Sequence, residues 1–190
     1  GCLWLVTVGI VVQLVPRLVE MGYSQPEAIG HLSAAALCAL PGSLVWGYLD
    51  QRIGTRLASI AYGLVYILTL LILIFADQNK LLVLLAILLV GLCLGGIKSL
   101  ITSMVGTAYG QAGFASAYRV IMPMSIIVRT LAFPIMGIAI SMSGGLSAAY
   151  VAFILIDILA ILLVLATDRP TDRPARTAEA ADHRPLAESP

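Results

Sequence analysis

The sequence predicts an all-α integral membrane protein with six transmembrane helices. Apolar residues make up 60% of the chain and charged residues only 11%, against roughly one quarter charged in soluble domains. The mean hydropathy is +1.01. Apolar runs recur at about the 20-residue length that a helix needs to cross the hydrocarbon core. These runs define a membrane domain over residues 1–167, with spans near 1–22, 26–49, 56–76, 81–108, 117–141 and 147–167.

The connection between the first two runs carries a helix-start signal. Ser24 can cap a helix, and Glu27 can reach back to the cap residue. Pro26 fits the first turn, because the N–H that it lacks would be unpaired there anyway. The second helix is therefore expected to begin close to residue 26.

The composition changes after Thr167. Residues 168–190 are rich in Ala, Pro and Glu and have too little apolar surface to offset the conformational entropy of the chain. We expect this segment to be a disordered cytoplasmic tail.

Basic residues are unevenly distributed between the predicted loops. If the loop after the second run and the tail share one side, only Arg17 and Lys80 fall toward the other. Short cytoplasmic loops hold an excess of Lys and Arg. An even number of spans is therefore expected, with both ends cytoplasmic, in the plasma (inner) membrane. The basic residues of the inner side are then Arg52, Arg56, Arg119, Arg169, Arg173, Arg176 and Arg184.

Several classes of site are not expected. Cys2, Cys38 and Cys93 lie inside apolar runs without paired spacing or a histidine cluster, so neither a disulfide framework nor a metal site is indicated. No cofactor is predicted, and a net charge of +1 gives no indication of nucleic-acid binding. An intramembrane enzyme is disfavoured, because the sequence has no His pair or carboxylate pair for a metal and residues 141–144 lack an evident base.

The stretch over residues 46–56 resembles a short charged loop of the major facilitator superfamily. It reads Trp-Gly-Tyr-Leu-Asp-Gln-Arg-Ile-Gly-Thr-Arg, and the family pattern is Gly-x-Leu-x-Asp-Arg-x-Gly-Arg-Arg or Lys. Asp50 stands one residue earlier than the acid of the pattern, with Gln51 in the usual position. In the family this loop follows the second helix of each six-helix half, on the cytoplasmic side, and latches neighbouring helices. The matching residues are Gly47, Leu49, Arg52, Gly54 and Arg56.

The residues of this loop also have a direct physical interpretation. Gly47 and Gly54 are expected to bracket a sharp reversal, because glycine permits close helix approach and left-handed conformations. Arg52 and Arg56 mark the inner face. An ordinary positive-inside loop without a latch function is the alternative.

The resemblance implies one half of a twelve-helix transporter. The tail after the last span suits the carboxy-terminal half, and the start at Gly1, without Met, suggests a fragment. The expected partners are then an amino-terminal six-helix half, the lipid bilayer and a small-molecule substrate. A truncated six-helix product that is inactive on its own stays open as an alternative.

Arg129 is the first candidate binding residue. It lies about halfway along the fifth span, and helical spacing places Ser125 and Phe133 on its face. The fifth helix of each half lines the central cavity in the family, and cationic residues in the cavity meet carboxylates in its oxalate and formate exchanger branch. A planar guanidinium pairs with a carboxylate through two hydrogen bonds. The alternative is a structural arginine neutralised within the protein.

Lys98 is the second candidate cation. Gly91, Gly95, Lys98 and Thr102 recur at helical spacing and predict a small, polar face on the fourth span. Lys98 could bind substrate, carry a proton, or extend its side chain toward the membrane boundary.

Three further polar residues are singled out. Asp157 lies within the sixth span and is expected to be structural, with ion coupling as the alternative. His31 could act as a proton-linked switch, or it could simply be a hydrogen-bonded histidine at a helix start. Gln13 is a cavity candidate on one face of the first span with Arg17 and Glu20, which could equally pair with each other.

The resemblance implies a secondary transporter that works by alternating access, and the two cations within its spans indicate a small organic anion as the substrate, with a carboxylate expected. Exchange and proton coupling both remain open. Proton-coupled efflux of a neutral or cationic compound is the alternative, for which an acid in the cavity would be expected.

Overall fold

The chain folds into a bundle of α-helices. The structure is a computed structural model and describes residues 1–75, 79–143 and 146–166. The predicted tail over residues 168–190 lies outside these ranges. Within them the helices are α1 (Cys2–Glu20), α2 (Gln25–Ile53), α3 (Thr55–Phe75), α4 (Lys80–Thr130), α5 (Ala132–Ser143) and α6 (Leu146–Ala166).

Helix α1 lies in the interior of the bundle. It contacts α2, α4, α5 and α6, and its buried residues include Val6, Ile10 and Leu14, each with no exposed surface. Gly9 lies directly against the ring of Phe153 of α6, so a side chain here would collide with that ring. The position of α1 explains why two of its polar residues, Thr7 and Gln13, are buried.

Helices α2 and α4 pack closely through small residues. A Cβ added at Gly91 would collide with the Ala35 carbonyl, and one added at Gly95 with the Ala39 carbonyl. From the α2 side, Gly42 lies against the backbone of Leu92. Glycine allows the two backbones to approach closely, as is common between membrane helices.

The start of α2 confirms the predicted helix-start signal. The helix begins at Gln25, with Ser24 as its cap residue and Pro26 in the first turn. The backbone N–H of Ser24 donates to the Glu27 carboxylate at 2.9 Å. This bond satisfies one donor that the helix itself leaves unpaired.

The reversal between α2 and α3 takes place at a single residue, Gly54. Its φ of 83° is a conformation that suits glycine. The prediction that Gly47 brackets this reversal is wrong, because Gly47 is helical and an added Cβ would meet nothing within 4 Å. Helix α2 continues to Ile53, beyond the predicted end at residue 49, since one glycine suffices for the turn.

Five helices of the described chain are long and apolar enough to cross a membrane. The predicted fourth and fifth spans fall together in one of them, a run of 62 residues from Lys80 to Ser141. At 1.5 Å per residue this run would be about 93 Å long if it were straight, roughly three times the hydrocarbon thickness. Gly110 breaks it with φ 64° and ψ 179°. We call residues 80–109 and 111–130 the first and second segments of α4.

The predicted fifth span is also interrupted. Helix α4 ends at Thr130 and α5 begins at Ala132, with the N–H of Leu131 bonded to the carbonyl of Val128, three residues earlier. Pro134 lies in the first turn of α5, where its missing N–H costs least. The span predicted as one helix over residues 117–141 is therefore two helical pieces.

Candidate functional site

Arg129 lies over an aromatic ring. Its guanidinium carbon lies 4.4 Å from the ring centroid of Trp4 in α1, and the arginine is half-buried. A cation over a tryptophan face is stabilised by about 2 kcal/mol when it is shielded from water. Within the described residues no carboxylate pairs with Arg129 and no acceptor takes its N–H groups. The half-buried cation therefore keeps its hydrogen-bonding capacity.

The two predicted neighbours of Arg129 differ in their surroundings. Ser125, one turn earlier, is buried. Phe133 is 48% exposed and follows the interruption at Leu131. The continuous stripe expected from uniform helical spacing is thus broken between Arg129 and Phe133.

Lys98 is exposed, and its side chain has no hydrogen-bond or ionic partner in the described chain. Its backbone carbonyl accepts a bond from Thr102, which is also exposed. The predicted face of the fourth span is divided in the structure: α2 covers it at Gly91 and Gly95, but not at Lys98. Lys98 and Thr102, the polar part of that face, are consequently exposed on the surface of the bundle.

The two cations lie toward the same end of the bundle. The Tyr62 hydroxyl joins Thr7 of α1 to the Cys93 carbonyl of α4, at 3.0 Å each, which sets these residues at one depth. Trp4 is three residues, or about 4.5 Å, from Thr7 along α1. Lys98 is five residues, or about 7.5 Å, beyond Cys93 along α4. Because α1 and α4 run antiparallel, the step back from Thr7 to Trp4 and the step forward from Cys93 to Lys98 lead toward the same end of the bundle. Arg129, held by Trp4, and Lys98 therefore have similar depths.

Gln13 and Arg17 on α1 have different roles. Gln13 is 1% exposed, and neither atom of its amide has a hydrogen-bond partner in the described chain. Arg17 donates from Nε and Nη2 to the carbonyl of Leu73, in the last turn of α3, at 3.3 and 3.0 Å. It also pairs with Glu20 at 3.2 Å. The local pairing proposed as an alternative for Arg17 is confirmed.

His31 packs edge-on against Tyr23, with ring centroids 5.4 Å apart. Tyr23 precedes α2 and His31 lies within its second turn. This contact connects α2 to the turn that precedes it.

The residues of the loop motif lie at the end of the bundle opposite the turn between α1 and α2. Arg56, in the first turn of α3, donates to the carbonyl of Leu165, in the last turn of α6. A cation at a helix C-terminus is favourable, because it meets unpaired carbonyls and the negative end of the helix dipole. Arg52 is exposed and lies 5.1 Å from the ring centroid of Tyr48 on the same helix. Among the described residues, Arg56 thus links two helices, whereas Arg52 contacts a side chain of its own helix.

The remaining residues in and next to the loop motif differ in their contacts with the rest of the bundle. Leu49 packs against the core, and Asp50 Oδ1 is buried without a hydrogen-bond partner in the described residues. Thr55, which follows Gly54, contacts the hydroxyls of Ser103 at 2.8 Å and Thr107 at 3.3 Å. The turn is therefore held to the first segment of α4 by hydroxyl groups and to α6 by Arg56.

A buried polar group in the bundle core was not predicted from the sequence. Tyr62 contacts Thr7 and the Cys93 carbonyl, and its ring packs against Trp46 and Tyr66 at 5.1 Å. Tyr62 and Tyr66 are one helical turn apart, and that spacing is the signal that could have identified them.

Asp157 of α6 is completely buried. Both carboxylate oxygens lack a hydrogen-bond partner in the described chain. A Cβ added at Gly63 of α3 would lie 3.3 Å from its Oδ1. The acid is thus enclosed at the contact of α3 and α6, and it pairs with neither Arg129 nor Lys98.

Within the described ranges, no group of three or more His, Cys, Asp or Glu side chains could hold a metal ion. The described part of the chain offers two cations without an acidic partner, several hydroxyl groups and one enclosed acid.

Comparison with known proteins identifies the family. The family model described as Major Facilitator Superfamily matches residues 2–189. No curated protein and no solved structure matches the chain. The match covers nearly the whole chain and agrees with its apolar helices. The protein belongs to the Major Facilitator Superfamily and is a multi-pass membrane transporter.

Proposed function

We propose that the chain forms the carboxy-terminal six-helix half of a secondary transporter that carries a small organic anion, a carboxylate, by alternating access. Arg129 and Lys98 bind the anion. The observation that carries the proposal is that both cations lie in membrane-crossing helices at similar depth without an acidic partner in the described chain.

The cost of these cations supports a binding role. An arginine or lysine at the centre of a membrane helix costs at least about 2.5 to 3.5 kcal/mol. The Trp4 ring offsets part of this cost for Arg129, and the described chain supplies no acceptor for the arginine's N–H groups. A carboxylate would supply the missing charge and accept two of those hydrogen bonds.

The break at Gly110 supports six crossings. With the first segment of α4 as the fourth crossing, its second segment together with α5 as the fifth, and α6 as the sixth, the two ends of this chain lie on one side, which we assign to the cytoplasmic side of the plasma (inner) membrane. The exposed faces with Lys98 and Phe133 would then face a second six-helix half across a central cavity.

The test is carboxylate counterflow in proteoliposomes that contain the complete transporter. Arg129→Gln should lower the counterflow rate by about 10- to 100-fold, because a charge-assisted hydrogen bond contributes about 1.5 to 3 kcal/mol. Lys98→Gln should have a similar effect. Arg129→Lys should be intermediate, since an ammonium keeps the charge but not the planar fork.

Arg119→Gln is the matched control, because Arg119 is an exposed arginine on the same segment as Arg129. Its counterflow should equal that of the unmodified protein. Equal rates for Arg129→Gln and Arg119→Gln would contradict the assignment of the site. Inhibition by lipophilic cations and not by carboxylates would instead indicate efflux of a cationic compound.

A further inference from the structure

Asp157 is a buried acid whose environment does not suit an ion. Its side chain is fully enclosed, and neither oxygen receives a hydrogen bond from the described residues. An ionised carboxylate in such a setting costs several kcal/mol even after relaxation. The neutral acid costs far less, because it has no net charge to desolvate.

Within the described chain, no cation pairs with Asp157. The titratable side chains within electrostatic range are Tyr66 from α3 and Cys93 from α4, and both types are ordinarily neutral at pH 7. On α1, Arg17 and Glu20 lie near Tyr150, seven residues or about 10 Å along α6 from Asp157. Helix α5 contains no titratable residue.

A metal cation fits this place poorly. Hard cations require several oxygen ligands at once. Beside the Asp157 oxygens, α3 presents Gly63, where an added Cβ would also lie 2.8 Å from Ile161 Cγ1, so the space is already filled by apolar groups.

We infer that Asp157 is a proton-binding site between α3 and α6, separate from the two cations, and that its proton is released only when these helices part enough to admit water. The inference concerns the ion that the protein binds, and it holds whatever the cargo is. The carboxyl group is neutral while the helices are in contact and ionised when they separate.

The sign of the pH dependence follows from linkage. The packed state holds one proton more than the separated or unfolded state, in which Asp157 ionises freely. Stability of the packed state is therefore complete in acid and falls as the pH rises. A single proton changes the unfolding equilibrium constant by at most about tenfold per pH unit.

The first measurement is the infrared spectrum of the complete transporter in proteoliposomes as a function of pH. Subtracting the spectrum of Asp157→Asn from that of the unmodified protein should show the C=O band of a carboxylic acid below neutral pH. The band should be replaced by carboxylate bands in alkali. Carboxylate bands throughout would overturn the inference.

The second measurement is the thermal unfolding midpoint over the same pH range, with Glu20→Gln as the control, because Glu20 is an acid that is 46% exposed. The midpoint of Asp157→Asn should vary less with pH than that of the unmodified protein, because the neutral isostere has no proton to lose. Glu20→Gln should keep the full dependence. Equal pH dependence in all three proteins would contradict the proton site, and a midpoint that rises with sodium concentration at fixed ionic strength would indicate a metal cation instead.

Discussion

At the residue scale, the buried hydroxyl contacts show how a polar group is accommodated inside a membrane bundle. Thr7 Oγ1 lies 2.8 Å from the Leu3 carbonyl and 3.0 Å from the Tyr62 hydroxyl, which in turn lies 3.0 Å from the Cys93 carbonyl. Each hydroxyl has one proton, so two protons serve three contacts. Tyr62 donates to Cys93, and Thr7 donates either to Leu3 or to Tyr62.

Tyr62→Phe removes the donor to the Cys93 carbonyl but keeps the ring contacts with Trp46 and Tyr66. We expect the protein to lose about 1 to 3 kcal/mol of stability, because a buried carbonyl is left unpaired. Thermal unfolding in detergent measures this loss. Tyr109→Phe is the control, since Tyr109 is 56% exposed, and an equal loss in both variants would contradict a specific role for the Tyr62 hydroxyl.

At the element scale, the sequence predicted helices better than the contacts between them. Long apolar runs place α1, α3 and α6 within about two residues of their observed bounds, because length in a bilayer is set by hydropathy. The break at Leu131 lies three residues before Pro134, and the sequence does not distinguish a bend from a new helix start there, because proline is compatible with both.

Side-chain partners were the least predictable part of the candidate site. Arg129 was identified as a membrane-embedded cation from its own position in an apolar run. Its partner Trp4 is 125 residues away, and neither spacing nor composition relates the two. The Arg56 contact with Leu165 likewise joins residues 109 positions apart.

The contact of α2 and α4 gives a prediction at this scale. Gly95→Ala should destabilise the protein by about 1 to 3 kcal/mol, because the new methyl group meets the backbone of Ala39 and Ser43. Gly47→Ala, on the open side of α2, should be neutral or stabilise by up to about 1 kcal/mol. Denaturation midpoints of the two variants test this, and a loss for Gly47→Ala as large as that for Gly95→Ala would contradict the close approach.

At the scale of the whole molecule, contacts group the helix ends into two sets. Arg17 bonds the last turn of α3, and Glu27 lies within electrostatic range of Lys80 at the start of α4. At the other end, Thr55 contacts Ser103 and Arg56 contacts the last turn of α6. Polar side-chain contacts therefore connect the helices at both ends of the bundle, whereas apolar packing and the Tyr62 contacts connect them in the middle.

These sets predict the order of membrane crossings. In a protein whose three native cysteines are replaced by alanine, Gln51→Cys and Gln111→Cys should react with an impermeant maleimide from one side of the membrane. Gln25→Cys should react from the other. Labelling of Gln51→Cys and Gln111→Cys from opposite sides would show that α3 and the first segment of α4 do not form two crossings.

The single-residue connection at Gly54 constrains how α2 and α3 can move. With one residue between them, their ends at this side cannot separate, so relative motion is a rotation about Gly54. A rotation of about 10° would displace the far end of the 21-residue α3 by about 5 Å. Gly54 is thus a pivot, and the ends of α2 and α3 that lie farthest from it, near Tyr23 and Phe75, would be displaced the most.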